Sequence, residues 1–201
     1  MRPASHALSA VALAILATPA LADSTVYTSA ASFLPQLAAG YYTETFDGLA
    51  DLPPSFSGGG FSYSITTAGG AYATGEYIGG SFPYETLTIS FTGASVNAIG
   101  ADFFANNIGG DFLPLSVSVS LSDGTVVDFT PTSQADSFRG FVSTTSISSV
   151  TLGITQPGSL LYPYANLDNL TVGVSAVPEP ASAALLGLGA SLLWAVRRRK
   201  A

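Results

Sequence analysis

The sequence predicts an all-β fold, an antiparallel β-sandwich or jelly roll with one short helix near its N terminus and a hydrophobic helix at its C terminus. Three observations lead to this prediction. Apolar and hydroxyl-bearing residues alternate in short runs, paired glycines separate the runs, and the stretch 23–176 has the 154 residues of one ordinary domain. Many short strands joined by glycine turns are typical of two packed antiparallel sheets.

The clearest strand prediction covers residues 115–122, where leucine and valine alternate with four serines. A period of two places apolar side chains on one face and hydroxyls on the other, as in a half-buried strand. Asp123-Gly124 follows as a hairpin turn signal, and the chain resumes with TVVDFT. Residues 86–92 and 150–154 alternate in the same way and are predicted to be strands as well.

One early segment, TSAASFLPQLAAG at 28–40, has apolar residues at helical spacing. Thr28 or Ser29 can cap the N terminus of a helix there, and Pro35 limits its length. We therefore expect a short helix that covers one end of the sandwich. The glycine-rich stretch 57–80 has the composition of a linker, but aromatic residues and isoleucines recur in it at intervals that suit strands, which favours a single domain.

The charge of residues 23–176 is strongly negative. This stretch contains 12 acidic residues and one basic residue, Arg139, which gives a net charge of −11, whereas the whole chain has −7 because its termini are basic. Such a surface repels phosphate backbones, so nucleic acid is excluded as a partner. Neutral glycans and cations are better suited to it.

Several kinds of catalytic site are excluded by composition. The chain has no cysteine, its one histidine is His6, and residues 23–176 contain no lysine. Ser-His-Asp and Cys-His nucleophiles, thiolate or imidazole zinc sites and Schiff-base chemistry therefore cannot form in this stretch. Carboxylate chemistry remains, since two carboxylates suffice for glycoside hydrolysis.

Tyr72, Tyr77 and Tyr84 lie among glycines in predicted loops and are candidates for glycan binding. Aromatic faces stack on the apolar faces of sugar rings. The alternative is that these rings fill the core or cover its rim. The absence of tryptophan from residues 23–176 argues against a strong sugar-stacking site.

Glu44, Asp47 and Asp168 are candidates for a structural Ca²⁺ site. They belong to ETFDG at 44–48 and LDNLTVG at 167–173, and jelly-roll carbohydrate-binding modules, which this arrangement resembles in general form, place their first and last strands side by side. Calcium takes six to eight oxygen ligands, in part from carboxylates. The alternative is that these acids only stabilise turns.

Two further constellations have a structural and a functional interpretation. A second oxygen-rich loop contains Asp102, Asn106, Asn107 and Asp111, a composition common in turns. Arg139, in FRGF, is predicted to pair with a carboxylate and so to hold two strands together. Its functional alternative is recognition of a uronic acid carboxylate.

The N terminus has the features of a secretory signal peptide at residues 1–22. Arg2 precedes an apolar stretch, and Ala20-Leu21-Ala22 provides a small-residue pattern for cleavage after Ala22. A retained N-terminal anchor is the alternative. Export is the expectation.

The C terminus combines three features: Pro178-Glu179-Pro180, an apolar run at 181–196 with Trp194 near its end, and a basic cluster. As a helix the run would span about 24 Å, slightly less than a hydrocarbon core. A basic cluster normally stays cytoplasmic, and tryptophan favours the interface. A buried core helix, the alternative, does not need a basic end of this kind. The cluster is Arg197, Arg198, Arg199 and Lys200.

This arrangement resembles the PEP-CTERM class of bacterial exported proteins, with residues 177–201 as the sorting signal. The resemblance implies processing near Pro178-Glu179-Pro180 by an exosortase, a membrane transpeptidase of Gram-negative bacteria, and transient contact with the inner membrane. Members of this class accompany exopolysaccharide production and biofilm formation. The expected function is a non-catalytic extracellular or cell-surface matrix protein acting by adhesion or weak glycan binding. The alternative is a carboxylate-dependent enzyme that cleaves or modifies glycans.

Overall fold

Two antiparallel sheets make up the computed structural model, which describes residues 24–155 and 161–176. The large sheet has eight strands and the small sheet has six. The strands in chain order are β1 Ser24–Tyr27, β2 Tyr42–Glu44, β3 Phe56–Gly58, β4 Phe61–Thr66, β5 Ala71–Ala73, β6 Ile78–Gly80, β7 Leu87–Phe91, β8 Ala98–Asn106, β9 Phe112–Leu113, β10 Val117–Leu121, β11 Val126–Phe129, β12 Phe138–Ser143, β13 Ser149–Ile154 and β14 Tyr164–Gly173.

The large sheet has the order β1-β12-β8-β14-β6-β5, with β2 also paired to β14 and β9 to β8. The small sheet has the order β11-β10-β13-β7-β4-β3. The central strands β8 and β14 pair over most of their length. The pairing of β2 with β14 confirms that the segments containing ETFDG and LDNLTVG lie side by side.

Alternation predicted three strands of the small sheet, β7, β10 and β13. Val117, Val119 and Leu121 of β10 are buried, and the intervening serines are partly exposed. The hairpin to β11 turns at Gly124, whose φ of 96° suits glycine. Residues of β7 and β13 alternate in the same way. Complete burial of each such valine or leucine contributes about 1.5–3 kcal/mol.

Both sheets contribute to one apolar core. The small sheet contributes the apolar face just described, and the large sheet contributes Ile99 and Phe103 from β8 and Leu167 from β14. The glycine-rich stretch 57–80 is part of this structure, because it forms strands β4, β5 and β6 and most of β3. The prediction of a mostly β fold with two antiparallel sheets and one short helix is therefore confirmed.

The helix α1, Ala30–Phe33, is shorter than its predicted segment. Ser29 caps it, because its hydroxyl accepts a hydrogen bond from the Ser32 N–H. A 3-10 turn at Leu34–Gln36, containing Pro35, follows directly. A second 3-10 turn lies at Gln134–Asp136.

α1 covers the outer face of the large sheet, opposite the main core, and not one end of the sandwich as predicted. The ring of Phe33 is fully buried against Gly100 of β8 and Gly140 of β12. A Cβ at Gly140 would lie 2.6 Å from the Phe33 ring, so the glycines provide the space that the ring fills. Phe138, Val142, Ala98 and Leu37 complete this second apolar cluster.

Candidate functional site

Two aspartates face each other across the central strands of the large sheet. Asp102 of β8 and Asp168 of β14 are register partners. Their neighbours Phe103 and Leu167 are fully buried in the core. Because successive side chains point to opposite faces of a sheet, both aspartates lie on the outer face, where cross-strand partners are in contact range.

A β-bulge next to this pair places an amide between the two carboxylates. The register of β14 shifts between Asp168 and Thr171, and Asn169 takes a left-handed φ of 52°. Asparagine tolerates this conformation better than most residues. The Asn169 side-chain N–H group donates to Asp102 Oδ2 at 2.8 Å and to Asp168 Oδ2 at 3.1 Å, and its backbone N–H donates to Asp168 Oδ1 at 2.7 Å.

Burial raises the pKa of both carboxyls. The pKa of Asp168 rises to about 6, because burial penalises its charge and the charges of Asp102, Asp47 and Glu76 act in the same direction, against the backbone hydrogen bond from Asn169. Burial also raises the pKa of Asp102, against hydrogen bonds from Asn169 and Ser137. Carboxyls with shifted pKa values are frequent at functional sites, and so are β-bulges.

A pocket of about 340 Å³ opens beside Asp102 and Asn169. Four hydroxyl-bearing residues line it, and two of them, Thr43 of β2 and Thr171 of β14, are hydrogen-bonded to each other at 2.8 Å. The other two, Thr28 and Ser29, come from the segment before α1. Apolar side chains form the rest of the wall: Ala30, Leu34, Ala135 and Phe138.

This pocket combines hydrogen-bonding groups with an apolar wall. Its volume is at the lower end of the range for small-molecule sites. A carboxylate accepts hydrogen bonds, an amide donates and accepts them, and hydroxyls do both, whereas leucine and phenylalanine contact C–H surfaces. A small polyhydroxylated molecule has both kinds of surface.

The predicted calcium ligands are not assembled into one site. Glu44 is engaged locally, because the Tyr42 hydroxyl donates to one of its carboxylate oxygens and the Phe46 N–H donates to the other. Asp168 is bound by Asn169, while Asp47 acts on it only as a nearby charge. Within residues 24–155 and 161–176, no three or more acidic or histidine side chains are grouped to hold a metal ion.

The three candidate tyrosines have different surroundings. Tyr72, on β5, is 37% exposed and lies over Gly79 of β6. Tyr77 lies near enough for its charge to raise the pKa of Tyr72, although burial is the larger cause. The ring of Tyr84 lies 6.4 Å from that of Tyr162. Glycan binding by these residues stays a prediction.

Tyr77 takes part in a polar network on the outer face of the large sheet. Its hydroxyl accepts a hydrogen bond from the Asn106 side-chain N–H group at 2.6 Å, and Asn106 Oδ1 accepts one from the Asn166 side-chain N–H group at 2.8 Å. Asn106 and Asn166 are both buried. The ring of Tyr77 packs edge-on against Phe104. A structural role therefore accounts for Tyr77.

The other candidate residues have structural roles as well. Asn107 caps its own turn, since its side-chain oxygen accepts from the N–H groups of Gly109 and Asp111. Arg139 does not make the predicted pair with a carboxylate of the described residues. Its guanidinium donates to the backbone carbonyls of Asp136 and Phe138 and lies 3.7 Å from the centre of the Phe129 ring.

Asn169 and Thr171 were missed by the interpretation of the sequence. Asparagine in the middle of a strand is unfavourable, so LDNLTVG carried a signal of a bulge. The predicted signal peptide and the residues Pro178, Glu179, Pro180, Trp194 and 197–200 lie outside the described residues. Over 24–155 and 161–176, no helix is long and apolar enough to span a bilayer.

Comparison with known proteins gives one family match. Residues 176–200 match the model of the PEP-CTERM protein-sorting motif. No curated protein matches the chain. Among solved structures, a family two carbohydrate esterase from Cellvibrio japonicus is similar over 79% of this chain and 36% of its own, with 11% identity and a TM-score of 0.33, which is too low to assign a shared fold or activity. The chain therefore carries a PEP-CTERM sorting motif, which indicates export and exosortase-dependent placement at the cell surface or outside the cell.

Proposed function

We propose that the chain is a non-catalytic β-sandwich protein of the exopolysaccharide or biofilm matrix of a Gram-negative bacterium, and that it binds glycans weakly through the pocket beside Asp102 and Asn169. The composition of this pocket supports the proposal. Hydroxyls, a carboxylate and an amide on one side match the hydroxyls of a sugar, and Leu34 and Phe138 match its C–H face.

The site favours weak binding. Asp102 and Asn169 are already hydrogen-bonded to each other, so a ligand must compete for their polar atoms. Each hydrogen bond that replaces an existing one in this way makes a net contribution of only about 0.5–1.5 kcal/mol to the free energy of binding. Many copies in a matrix would compensate, because linked sites bind with an avidity above the affinity of one site.

Two threonine variants test this proposal. Thr28 lines the pocket, whereas Thr86 is exposed outside it. Loss of one ligand hydrogen bond, about 1 kcal/mol, lowers affinity about fivefold. Thr28→Ala is thus expected to weaken binding of the exported protein to the bacterium's purified polysaccharide, measured by calorimetry, and Thr86→Ala to leave it unchanged. Equal affinities for the two variants, or no binding by the wild type, would contradict the proposal.

A second candidate function is a carboxylate-dependent enzyme that cleaves or modifies glycans. The pKa of about 6 for Asp168, across the strands from Asp102, favours it, because a carboxyl whose pKa is raised towards neutral pH, next to a second carboxyl, is suited to acid catalysis. The expected result for an enzyme is release of reducing ends that is lost in Asp168→Asn and kept in Asp128→Asn, a change at an exposed acid of β11. No release by the wild type favours the binding role.

We further propose that residues 181–196 hold the chain in the inner membrane until an exosortase cuts near Pro178-Glu179-Pro180. The sorting motif, the apolar run and the basic cluster support this. Full-length chain is expected to float with phospholipid vesicles in a density gradient, and chain lacking residues 181–201 is expected to stay at the bottom. Flotation of both would place the membrane contact elsewhere.

A further inference from the structure

Ala176, where the sorting motif begins, is held at a fixed point of the domain, which we call the exit point. The N–H of Ala38 donates to the carbonyl of Val174 at 2.8 Å, and the N–H of Ser175 donates to the Asn97 side chain at 2.6 Å. The N–H of Ala176 donates to the carbonyl of Gln36 at 2.7 Å. The domain therefore holds its C-terminal segment up to the last residue before 177.

The strand registers show which loops surround this exit point. The start of β8 lies beside the end of β14 and the end of β12, and the start of β1 pairs with that same end of β12. The small sheet joins them through Asp123, whose carboxylate accepts from the Ser24 and Ser143 hydroxyls. We call this surface the exit end; it comprises 38–41, 58–60, 92–97, 122–125, 143–148 and 174–176.

The exit end is nearly free of charge. Its one charged side chain is Asp123, which is hydrogen-bonded by two serine hydroxyls and by the Thr125 N–H. The other ten acids of the described residues, and Arg139, lie in other segments. The exit end also exposes Tyr41 at 41% and Val174 at 42%. Among residues 24–155 and 161–176, the charged side chains are thus concentrated away from the exit point.

The tether to the predicted membrane segment is short. From Ala176 to Ala181 there are five residue steps, which span at most about 18 Å in any conformation. The ten residues of β14 alone span about 33 Å. Because the tether is shorter than β14, the exit end stays close to the bilayer while the tail is anchored, and the far end reaches the bilayer only if the domain lies on its side.

We propose that the exit end is the surface that rests on the phospholipid headgroups of the bilayer while the tail is anchored. This inference rests on the proposed anchoring by residues 181–196. Bacterial phospholipid surfaces that carry anionic headgroups repel acidic side chains, which favours the uncharged end. Tyrosine is enriched at membrane interfaces, and Tyr41 lies where it can occupy one.

The absence of cysteine makes a labelling experiment direct. Ala94 and Thr86 are both exposed and flank the two ends of β7, with Ala94 at the exit end. Full-length Ala94→Cys and Thr86→Cys variants carry the same fluorophore and are reconstituted in phosphatidylethanolamine and phosphatidylglycerol vesicles that contain a headgroup quencher lipid. Thermal melting of each labelled variant confirms that it is folded.

We expect quenching at position 94 to exceed that at position 86 several-fold in chain that floats with the vesicles. Equal quenching, or stronger quenching at position 86, in floating chain overturns the orientation and leaves the anchoring intact. Failure of the chain to float refutes the anchoring itself, so the two failures are distinguishable. Weak quenching at both positions in floating chain also overturns the proposal, since it places the domain away from the headgroups.

Discussion

Replacing Asp168 by asparagine is expected to stabilise the fold near neutral pH. Burial raises the pKa of this carboxyl from 3.8 to about 6, and nearby acids act in the same direction. Because the folded pKa lies above the unfolded value, the folded state binds this proton more tightly than the unfolded chain does. The carboxylate therefore lowers the free energy of unfolding above about pH 6, and this loss is recovered as the pH falls from about 6 to about 4.

The magnitude follows from the shift. A change from 3.8 to about 6 corresponds to about 3 kcal/mol at about 1.36 kcal/mol per unit. Asp168 is only partly buried, so solvent screening reduces this to about 1 kcal/mol. Asparagine keeps one acceptor oxygen for the Asn169 backbone N–H, which in the wild type donates to Asp168 Oδ1.

Urea denaturation of the wild type and Asp168→Asn at about pH 7 and about pH 5 measures this effect. The variant is expected to be more stable by about 1 kcal/mol at the higher pH and to show a smaller gain in stability on acidification. Asp128→Asn removes an exposed acid of the small sheet and provides the control for overall charge. An Asp168→Asn variant that is less stable than wild type at the higher pH, with unchanged pH dependence, would refute the reasoning.

Three further predictions concern packing and processing. The hydroxyl of fully buried Tyr63 has no hydrogen-bond partner within the described residues. Tyr63→Phe is therefore expected to raise the free energy of unfolding, measured by urea denaturation, by about 1 kcal/mol. A decrease would show that the hydroxyl does have a hydrogen-bond partner. Gly140→Ala, which crowds the Phe33 ring, is expected to lower the free energy of unfolding by about 1–3 kcal/mol in the same assay. Gly153→Ala, which has open space around its Cβ, is expected to change it by no more than about 0.5 kcal/mol. Equal losses for the two variants would contradict the packing of Phe33 on Gly140. Intact-mass analysis of the extracellular protein is expected to show loss of the tail; protein still ending at Ala201 would contradict exosortase processing.

Strands with one solvent-facing side were predictable, and strands buried on both sides were not. β10 alternates because its serines face solvent. β8 does not alternate, because α1 and the network around Asn106 cover its outer face. The two-sheet fold therefore followed from the small sheet, whereas the second apolar cluster under Phe33 had no simple period to reveal it.

The candidate site was predictable only in part. The sequence predicted that the segments containing ETFDG and LDNLTVG lie side by side, and it indicated Asp168 as a candidate site residue there. The sequence did not indicate Asp102 of β8 as a neighbour of Asp168, to which the bulge residue Asn169 links it. The pocket is built from segments distant in the chain, and single-sequence patterns do not report such convergence.

The most direct test of glycan binding at the pocket is nuclear magnetic resonance of the Asn169 side-chain amide during titration with oligosaccharides from the producing bacterium's own matrix. This N–H group donates to both Asp102 and Asp168 beside the pocket. We expect the resonance of this group to shift in a saturable way, together with those of the backbone amides of Thr28 and Thr171. Saturable shifts confined to the region of Tyr84 and Tyr162, or no shift at any residue, would contradict this expectation.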